Sequence, residues 1–440
     1  MEGTSTKCGR TSDLQPSPWV SADIISHLPD HIICHILSFL PTKHSVVTST
    51  LSKRWRPIWA HVPTLDLRSG AHHPNFPATV DRILSLHVAR ALDSFSLYQE
   101  NSADFTESDL GNWIGAAIER NVKNVHLELD STDMVKSPQC LFSCGTLVNL
   151  RLEVCVLPTF SGPTSLPSLK KLHLRLVEYK DNNALPQLLE GCPVLEDLTV
   201  DGIAEALGQL TVRSSTLRRL ELGSMADQLD CDVVVDAPGM RCLKTSECLY
   251  GHIKLISVAS LVEADICFSN EMFVEYGNLY VINVLRFMKR LGDVRALKLS
   301  GSIELFPDIQ LVSYYVKFSN IVRLEVAADW RIFPSIFRSA ENLKVLILHG
   351  GYWNLQRWSI TMMGRCTCLL YPLQTVIIRE FGCAEDEFAA VRFILANTRV
   401  LKRMEIYTAS IGIRPKAKSR ALRRIQLLPR ESVECEIELS

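Results

Sequence analysis

Between residues 62 and 348 the chain repeats one hydrophobic pattern: an apolar position, two unrestricted ones, a second apolar position, one unrestricted, and a third apolar position. It reads LVNLRL at 147–152, LKKLHL at 169–174, LEDLTV at 195–200 and LRRLEL at 217–222. The same template starts again at Met240, Leu261, Val294, Ile321 and Leu343, and it can be read back toward the N-terminus from Val122, Leu92 and Val62. Its last two apolar positions alternate as in a β-strand, so both point to one face. Successive copies begin 30, 30, 25, 22, 26, 22, 23, 21, 33, 27 and 22 residues apart.

One such strand cannot bury its apolar face alone. Stacked copies form a parallel sheet over a continuous leucine core, with the intervening segments closing the convex side. The irregular period overlaps that of the leucine-rich repeat, so the predicted fold is an α/β solenoid, a horseshoe of parallel strands. ALPQLLEGCPVLEDLTV (184–200) shows one unit. Leu185, Leu188 and Leu189 have helical spacing, Gly191–Pro193 punctuates, and Leu195, Leu198 and Val200 enter the strand. Leucines at template positions are core. Arg151, His173, Thr199, Glu221 and Glu325 alternate onto the outward, concave face that solenoids use for partners. No cluster of basic residues on adjacent template strands stands out. LQTVII, LKRMEI and LRRIQL, starting at 373, 401 and 422, carry the template into the tail, with a helical stripe of Phe388, Val391, Ile394 and Leu395 between the first two. A C-terminal cap is expected there, because the last core layer must be shielded.

The N-terminus follows a different period. LPDHIICHILSFLP predicts a helix that begins near Pro29 and stops at Pro41. Ile32, Ile36 and Leu40 form one stripe, with Ile33 and Leu37 beside it. TKHSVVTSTLSKRWRPIW adds Val46, Val47, Leu51, Trp55, Ile58 and Trp59. Trp55 and Trp59 would share a helix face, although Pro57 requires that helix to be short or to start close to Trp55. A unit of about 40 residues does not normally stabilise itself. Its apolar excess implies docking on the first repeat or on another protein.

Composition narrows the function. The 440 residues carry 47 basic and 48 acidic side chains, so the overall basic balance of many nucleic-acid binders is absent. No apolar run reaches the roughly 18 residues of a membrane span. The polar opening MEGTSTKCGRTSDLQPSPW lacks an apolar signal core and is expected to be a disordered leader. The 14 cysteines are scattered and no N-x-S/T sequon occurs, which fits free thiols in the nucleus or cytoplasm. Cys140 with Cys144 and Cys366 with Cys368 lack the C-x2-C spacing of a metal site, and His72 and His73 sit beside Pro74 in a loop. There is no G-x-S-x-G, Walker, G-x-G-x-x-G or H-E-x-x-H motif, so neither catalysis nor a cofactor is expected. RPKAKSRALRR (414–424) is basic enough for a nuclear import signal, but a solvated loop leading into a strand fits it better.

LPDHIICHIL followed by LSKRWRPIW resembles an F-box, the helical module that binds the Skp-family adaptor of SCF-type cullin–RING ubiquitin ligases. HVPTLDL (61–67) is similar to the endings of plant F-boxes, and DLGNWIGAAIERNVKNVHLEL (109–129) to the segment those proteins carry ahead of their repeats. The tail, in LQTVIIREFGCAEDEFAAVRFILANTRVLKRMEI (373–406) and LLPRESVECEIEL (427–439), resembles an FBD domain. On this resemblance to plant F-box/leucine-rich-repeat/FBD proteins, the chain divides into a leader (1–20), an F-box (21–62), repeats (63–360) and an FBD domain (361–440). Leu28 and Pro29 open the F-box. Ile32, Ile36, Leu37, Leu40, Val46, Leu51 and Trp55 match its apolar framework, and these nine residues form the implied adaptor-binding set; Trp59 matches the closing hydrophobic position. Val47 and Thr50 depart from the pattern, since plant relatives often carry Arg and Val there. The implied role is a non-catalytic subunit that holds a target protein near the ubiquitin-charged enzyme, without cofactor, nucleic acid or membrane. A non-degradative scaffold and a receptor that needs a small molecule are the alternatives.

Overall fold

A computed structural model describes residues 25–69, 75–99, 105–129, 135–203, 209–223, 232–246, 253–268, 284–301, 317–327, 340–350, 372–409 and 415–439. The leader, His72, His73, Cys366 and Cys368 lie outside the described residues.

The N-terminal unit is helical. α1 (Asp30–Leu37) and α2 (Thr42–Val47) each begin directly after a proline, where the missing N–H costs no helical hydrogen bond. Short 3-10 turns follow at Thr48–Thr50 and Ile58–His61. The expected helix through both tryptophans does not form. Trp55 sits in a turn and Trp59 in the 3-10 turn after Pro57, which interrupts any longer ladder. Ile33, Leu37, Trp55, Ile58 and Val62 make a small core of their own, with Leu28 and Cys34 against it. Arg54 ties the unit together by donating to the Leu28 carbonyl and to Asp30 Oδ1 at 2.7 Å. The unit docks on the start of the sheet. Buried Thr42 accepts the Asp66 N–H at 2.8 Å, Thr64 donates to the Ser38 carbonyl at 3.2 Å, and the His87 ring bonds the Val62 carbonyl at 2.8 Å. The first edge of the sheet is thereby covered, as exposed strand edges generally must be.

All twelve template copies become strands. They are β1 (Thr64–Ser69), β2 (Ser94–Gln99), β3 (Asn124–Glu128), β4 (Asn149–Glu153), β5 (Lys171–Tyr179) and β6 (Asp197–Ile203). β7 (Arg219–Leu222), β8 (Cys242–Thr245), β9 (Glu263–Phe268), β10 (Ala296–Gly301), β11 (Arg323–Ala327) and β12 (Val345–His349) follow. The tail adds β13 (Thr375–Phe381), β14 (Arg403–Thr408) and β15 (Glu436–Leu439). Each strand pairs in parallel with the next in chain order, which gives one large open sheet. Register keeps the template aligned. Leu65, Phe95, Val125, Leu150, Leu172, Leu198 and Leu220 form one row and Leu67, Leu97, Leu127, Leu152, Leu174, Val200 and Leu222 another, none more than 3% exposed.

Repeat length selects the returning segment. The two 30-residue repeats return through α3 (Phe76–Leu86) and α4 (Glu107–Glu119), and the 26-residue repeat through α5 (Ala184–Glu190). Repeats of 21–23 residues between β6 and β9 return instead through Gln209–Arg213, Asp232–Asp236 and Ile253–Ser257, which pair as a second, three-stranded parallel sheet. A helix advances about 1.5 Å per residue and a strand about 3.3 Å, so the shorter repeat spans the return only when extended.

The tail departs from the sequence reading once. Neither the expected loop nor the LRRIQL strand forms, because Pro415–Gln426 is a helix (α7, after α6 at Glu385–Asn397). Ala421 and Ile425, four apart, are its buried face, whereas Leu427 is exposed. Apolar spacing of three and four residues is shared by the template and by a helix, and here the helical face found the core. The closing strand is β15.

Left-handed backbone recurs at one level of the stack, just past β4 and within β5 and β6. Val154 (φ 54°), Leu176 (φ 48°) and Gly202 (φ 69°) follow Glu153, Arg175 and Asp201, which are register partners on β4, β5 and β6. Only glycine takes this conformation without strain, so a valine and a leucine held there mark corners imposed by stacking.

Candidate functional site

Two surfaces stand out, one on the helical unit and one on the sheet. In α1 two apolar stripes separate. Ile33 and Leu37 are buried, while Ile32, Ile36 and, just past the helix, Leu40 are exposed. Of the nine residues implied by the F-box resemblance, Pro29, Ile32, Ile36, Leu40 and Leu51 are exposed and Leu28 and Val46 half-buried. Leu37 and Trp55 are buried inside the unit and hold it together, so their side chains are not on the surface. Ile25, Phe39 and Val47 join the exposed group, with Phe39 75% exposed and its ring edge-on to His35 at 5.0 Å. Phe39 lies in the turn beyond α1, where helical periodicity no longer predicts a face. Scattered exposed apolar residues are ordinary, but seven large ones on a unit this small make it a candidate interaction surface.

The second surface is the outer face of the sheet, opposite the leucine core. Register sets His126, Arg151 and His173 side by side on β3, β4 and β5, with Glu128, Glu153 and Arg175 in the next outward row. Arg151, His173 and Arg175 therefore gather on adjacent strands, a basic cluster that the sequence reading did not expect. Glu153 is its centre, and its carboxylate is buried beneath its partners. Arg151 Nε donates to Oε1 and Arg175 Nε to Oε2, and His126 Nε2 lies 3.1 Å from Oε1. Burial alone would raise the Glu153 pKa. The guanidinium hydrogen bonds, the charge of Arg151 and the His126 bond outweigh it, lowering the value from 4.5 to about 2.

Burial pushes His126 below its ordinary value, so the imidazole is neutral near pH 7. An ionised Glu153 only accepts, which makes Nε2–H the donor and leaves Nδ1 to accept the Tyr98 hydroxyl at 3.0 Å. Arg68 stacks over the Tyr98 ring at 4.5 Å and pairs with Asp66. Burial and the Arg151 charge lower His173 as well, and its Nε2 is buried without a hydrogen-bond partner.

His126, Glu128 and Glu153 bring potential ligand atoms within 4.8 Å of one another. They do not suit a metal. Both Glu153 oxygens are held by guanidiniums and both His126 nitrogens are committed, so a divalent cation would have to displace these bonds beside two positive charges.

Farther along, the outer row alternates as Glu221, Lys244, Asp265, Lys298 and Glu325 on β7 to β11. Lys244 pairs with Glu221, Lys298 meets Asp265 at 3.1 Å, and His349 meets Glu325 at 3.0 Å. Arg323 also meets Glu325 at 3.4 Å, so each carboxylate of this stretch has a cationic partner. Among the described residues no helix is long and apolar enough to cross a membrane.

Comparison with known proteins agrees with this architecture. An F-box model matches residues 25–66, a model of the LRR repeats of the FBD-associated F-box protein At5g56370 matches 110–326, and an FBD model matches 364–406. The chain is similar to the Arabidopsis thaliana F-box/FBD/LRR-repeat protein At1g78750, 30% identical over 99% of each chain. It is also similar to two others from that plant. The F-box/LRR-repeat protein At4g14103 is 32% identical over 75% of this chain and 92% of its own length. The putative F-box/FBD/LRR-repeat protein At1g66290 is 32% identical over 94% of this chain and 93% of its own.

Proposed function

The chain belongs to the plant F-box/FBD/leucine-rich-repeat family, and from that membership we propose that it is the substrate-recognition subunit of an SCF-type cullin–RING ubiquitin ligase. In this reading the exposed face of the F-box docks on a Skp-family adaptor. The parallel strands curve as a horseshoe whose outer, concave face holds a target protein, and the FBD segment closes its far end. The chain performs no bond chemistry itself. It raises the concentration of target lysines near the ubiquitin-charged enzyme. With its described cysteines as free thiols, it works in the nucleus or cytoplasm.

One observation carries the adaptor reading. α1 has a complete apolar stripe, Ile33 and Leu37, for its own core, and a second one, Ile32, Ile36 and Leu40, that nothing among the described residues buries. A partner that covers the second stripe, together with Phe39 and Leu51, removes apolar surface from water. Calorimetric titration of the full chain with a Skp-family adaptor tests the proposal. Binding that Ile36→Asp and Leu51→Asp abolish, in variants that keep the wild-type melting temperature, is the expected result. A folded wild type that binds no such adaptor would leave the chain as an interaction scaffold without a ligase.

A further inference from the structure

The cluster on β3–β5 has donors left over. Arg151 and Arg175 reach Glu153 through Nε alone, and among the described residues neither has a hydrogen-bond partner for its Nη nitrogens. Both side chains stay partly open to solvent, Arg151 at 48% and Arg175 at 38%. The buried carboxylate beneath them fixes two guanidinium forks side by side, which removes most of the ordering cost that free arginines would meet on binding. His173 adds a buried Nε2 with no partner.

We propose that this pair of arginines, with His173, is the part of the outer face that selects the target, and that it takes a single carboxylate, an Asp or Glu side chain of an extended target segment. The inference rests on the reading that this face receives the target. Charge supports a monoanion over a phosphate. Glu153 cancels one of the two guanidinium charges, and Glu128 and Asp201 act on Arg175 from farther off, so a dianion meets more repulsion here than a monoanion does. Planar forks with free Nη–H groups match the two oxygens of a carboxylate. Among the described residues of β7–β11, Lys244 and Lys298 are each paired with a carboxylate, Glu221 and Asp265, and carry no planar guanidinium fork.

The test is an array of synthetic peptides, randomised at flanking positions, with Asp, Glu, Gln, phosphoserine or Lys fixed at the centre and probed with the full chain. The expected result is retention on Asp and Glu at least about tenfold above Gln, with phosphoserine no better than Glu. Arg151→Lys combined with Arg175→Lys keeps both ion pairs to Glu153, since each ammonium can bond the buried carboxylate, but removes the Nη forks. That variant should fold with an unchanged melting temperature and lose the preference. His173→Phe should reduce it severalfold. No acidic preference in the wild type, a preference that survives the double Lys substitution, or a stronger response to phosphoserine each overturns the proposal. Adaptor titration of the wild type separates the two readings. A wild type that binds the adaptor but shows no acidic preference sinks only the carboxylate site, whereas a wild type that keeps the preference without adaptor binding sinks only the ligase role.

Discussion

Two isoleucines one turn apart on α1 should respond oppositely to the same truncation. Ile33 is fully buried, and Ile36, one turn along on the neighbouring stripe, is 45% exposed. Ile33→Ala removes buried carbon and leaves a cavity, which costs about 2–5 kcal/mol of folding stability. That is severe for a unit whose own core has only five buried members among the described residues. Ile36→Ala removes surface that water already reaches, so its stability effect should stay within about 0.5 kcal/mol. Binding reverses the ranking. Full burial of an isoleucine is worth about 1.5–3 kcal/mol, and with roughly half of that area left to cover, Ile36 should contribute about 1 kcal/mol to an adaptor complex. Its loss weakens binding about fivefold. Replacing Ile32, Ile36 and Leu51 together by Ala should remove about 3 kcal/mol, on the order of a hundredfold in Kd. Urea unfolding followed by tryptophan fluorescence reads the first quantity, since Trp55 lies in that core, and calorimetric titration with a Skp-family adaptor reads the second. The two-stripe reasoning is refuted if Ile36→Ala unfolds as easily as Ile33→Ala, or if the triple variant binds like wild type.

Three further outcomes are expected. The Glu153 carboxyl has a folded pKa lowered from 4.5 to about 2, so its contribution to stability is present above pH 4.5 and is lost as pH falls toward 2. An acid titration by circular dichroism should show Glu153→Gln flattening that part of the profile, and an unchanged profile would contradict the burial of the ion cluster. Burial pushes the thiols of Cys155 and Cys192 up to about 12, which leaves essentially no thiolate at pH 8. Iodoacetamide labelling with mass spectrometry should find, among the described cysteines, exposed Cys140 modified well before those two, which react only after unfolding. Gly301 has φ +85°, and a Cβ there would come within 2.1 Å of the Phe268 carbonyl oxygen. Gly301→Ala should lower stability by about 1–2 kcal/mol from the backbone alone, read as a fall in melting temperature, and no fall would mean that β10 ends differently.

The sequence by itself determined the strands, their order and the face each buries, because the template is a local code. Two apolar side chains two residues apart must point the same way, and twelve copies can satisfy one another only by stacking. It also determined that α1 carries two apolar stripes, but not which one meets water. That choice depends on Trp55 and Ile58, some twenty residues away, closing over Ile33 and Leu37. The same limit hid the helix at Pro415–Gln426, whose apolar spacing served two periods until Ala421 and Ile425 found the core. The extended returns between β6 and β9 followed from repeat length only once the distance to be spanned was known. Glu153 and its partners show the limit most clearly. Tyr98, His126, Arg151 and Arg175 come from four separate strands, and a one-residue slip of any strand would turn its member of the cluster into the core. Hydrophobic period is written along the chain, whereas proximity between polar side chains exists only after the strands have paired.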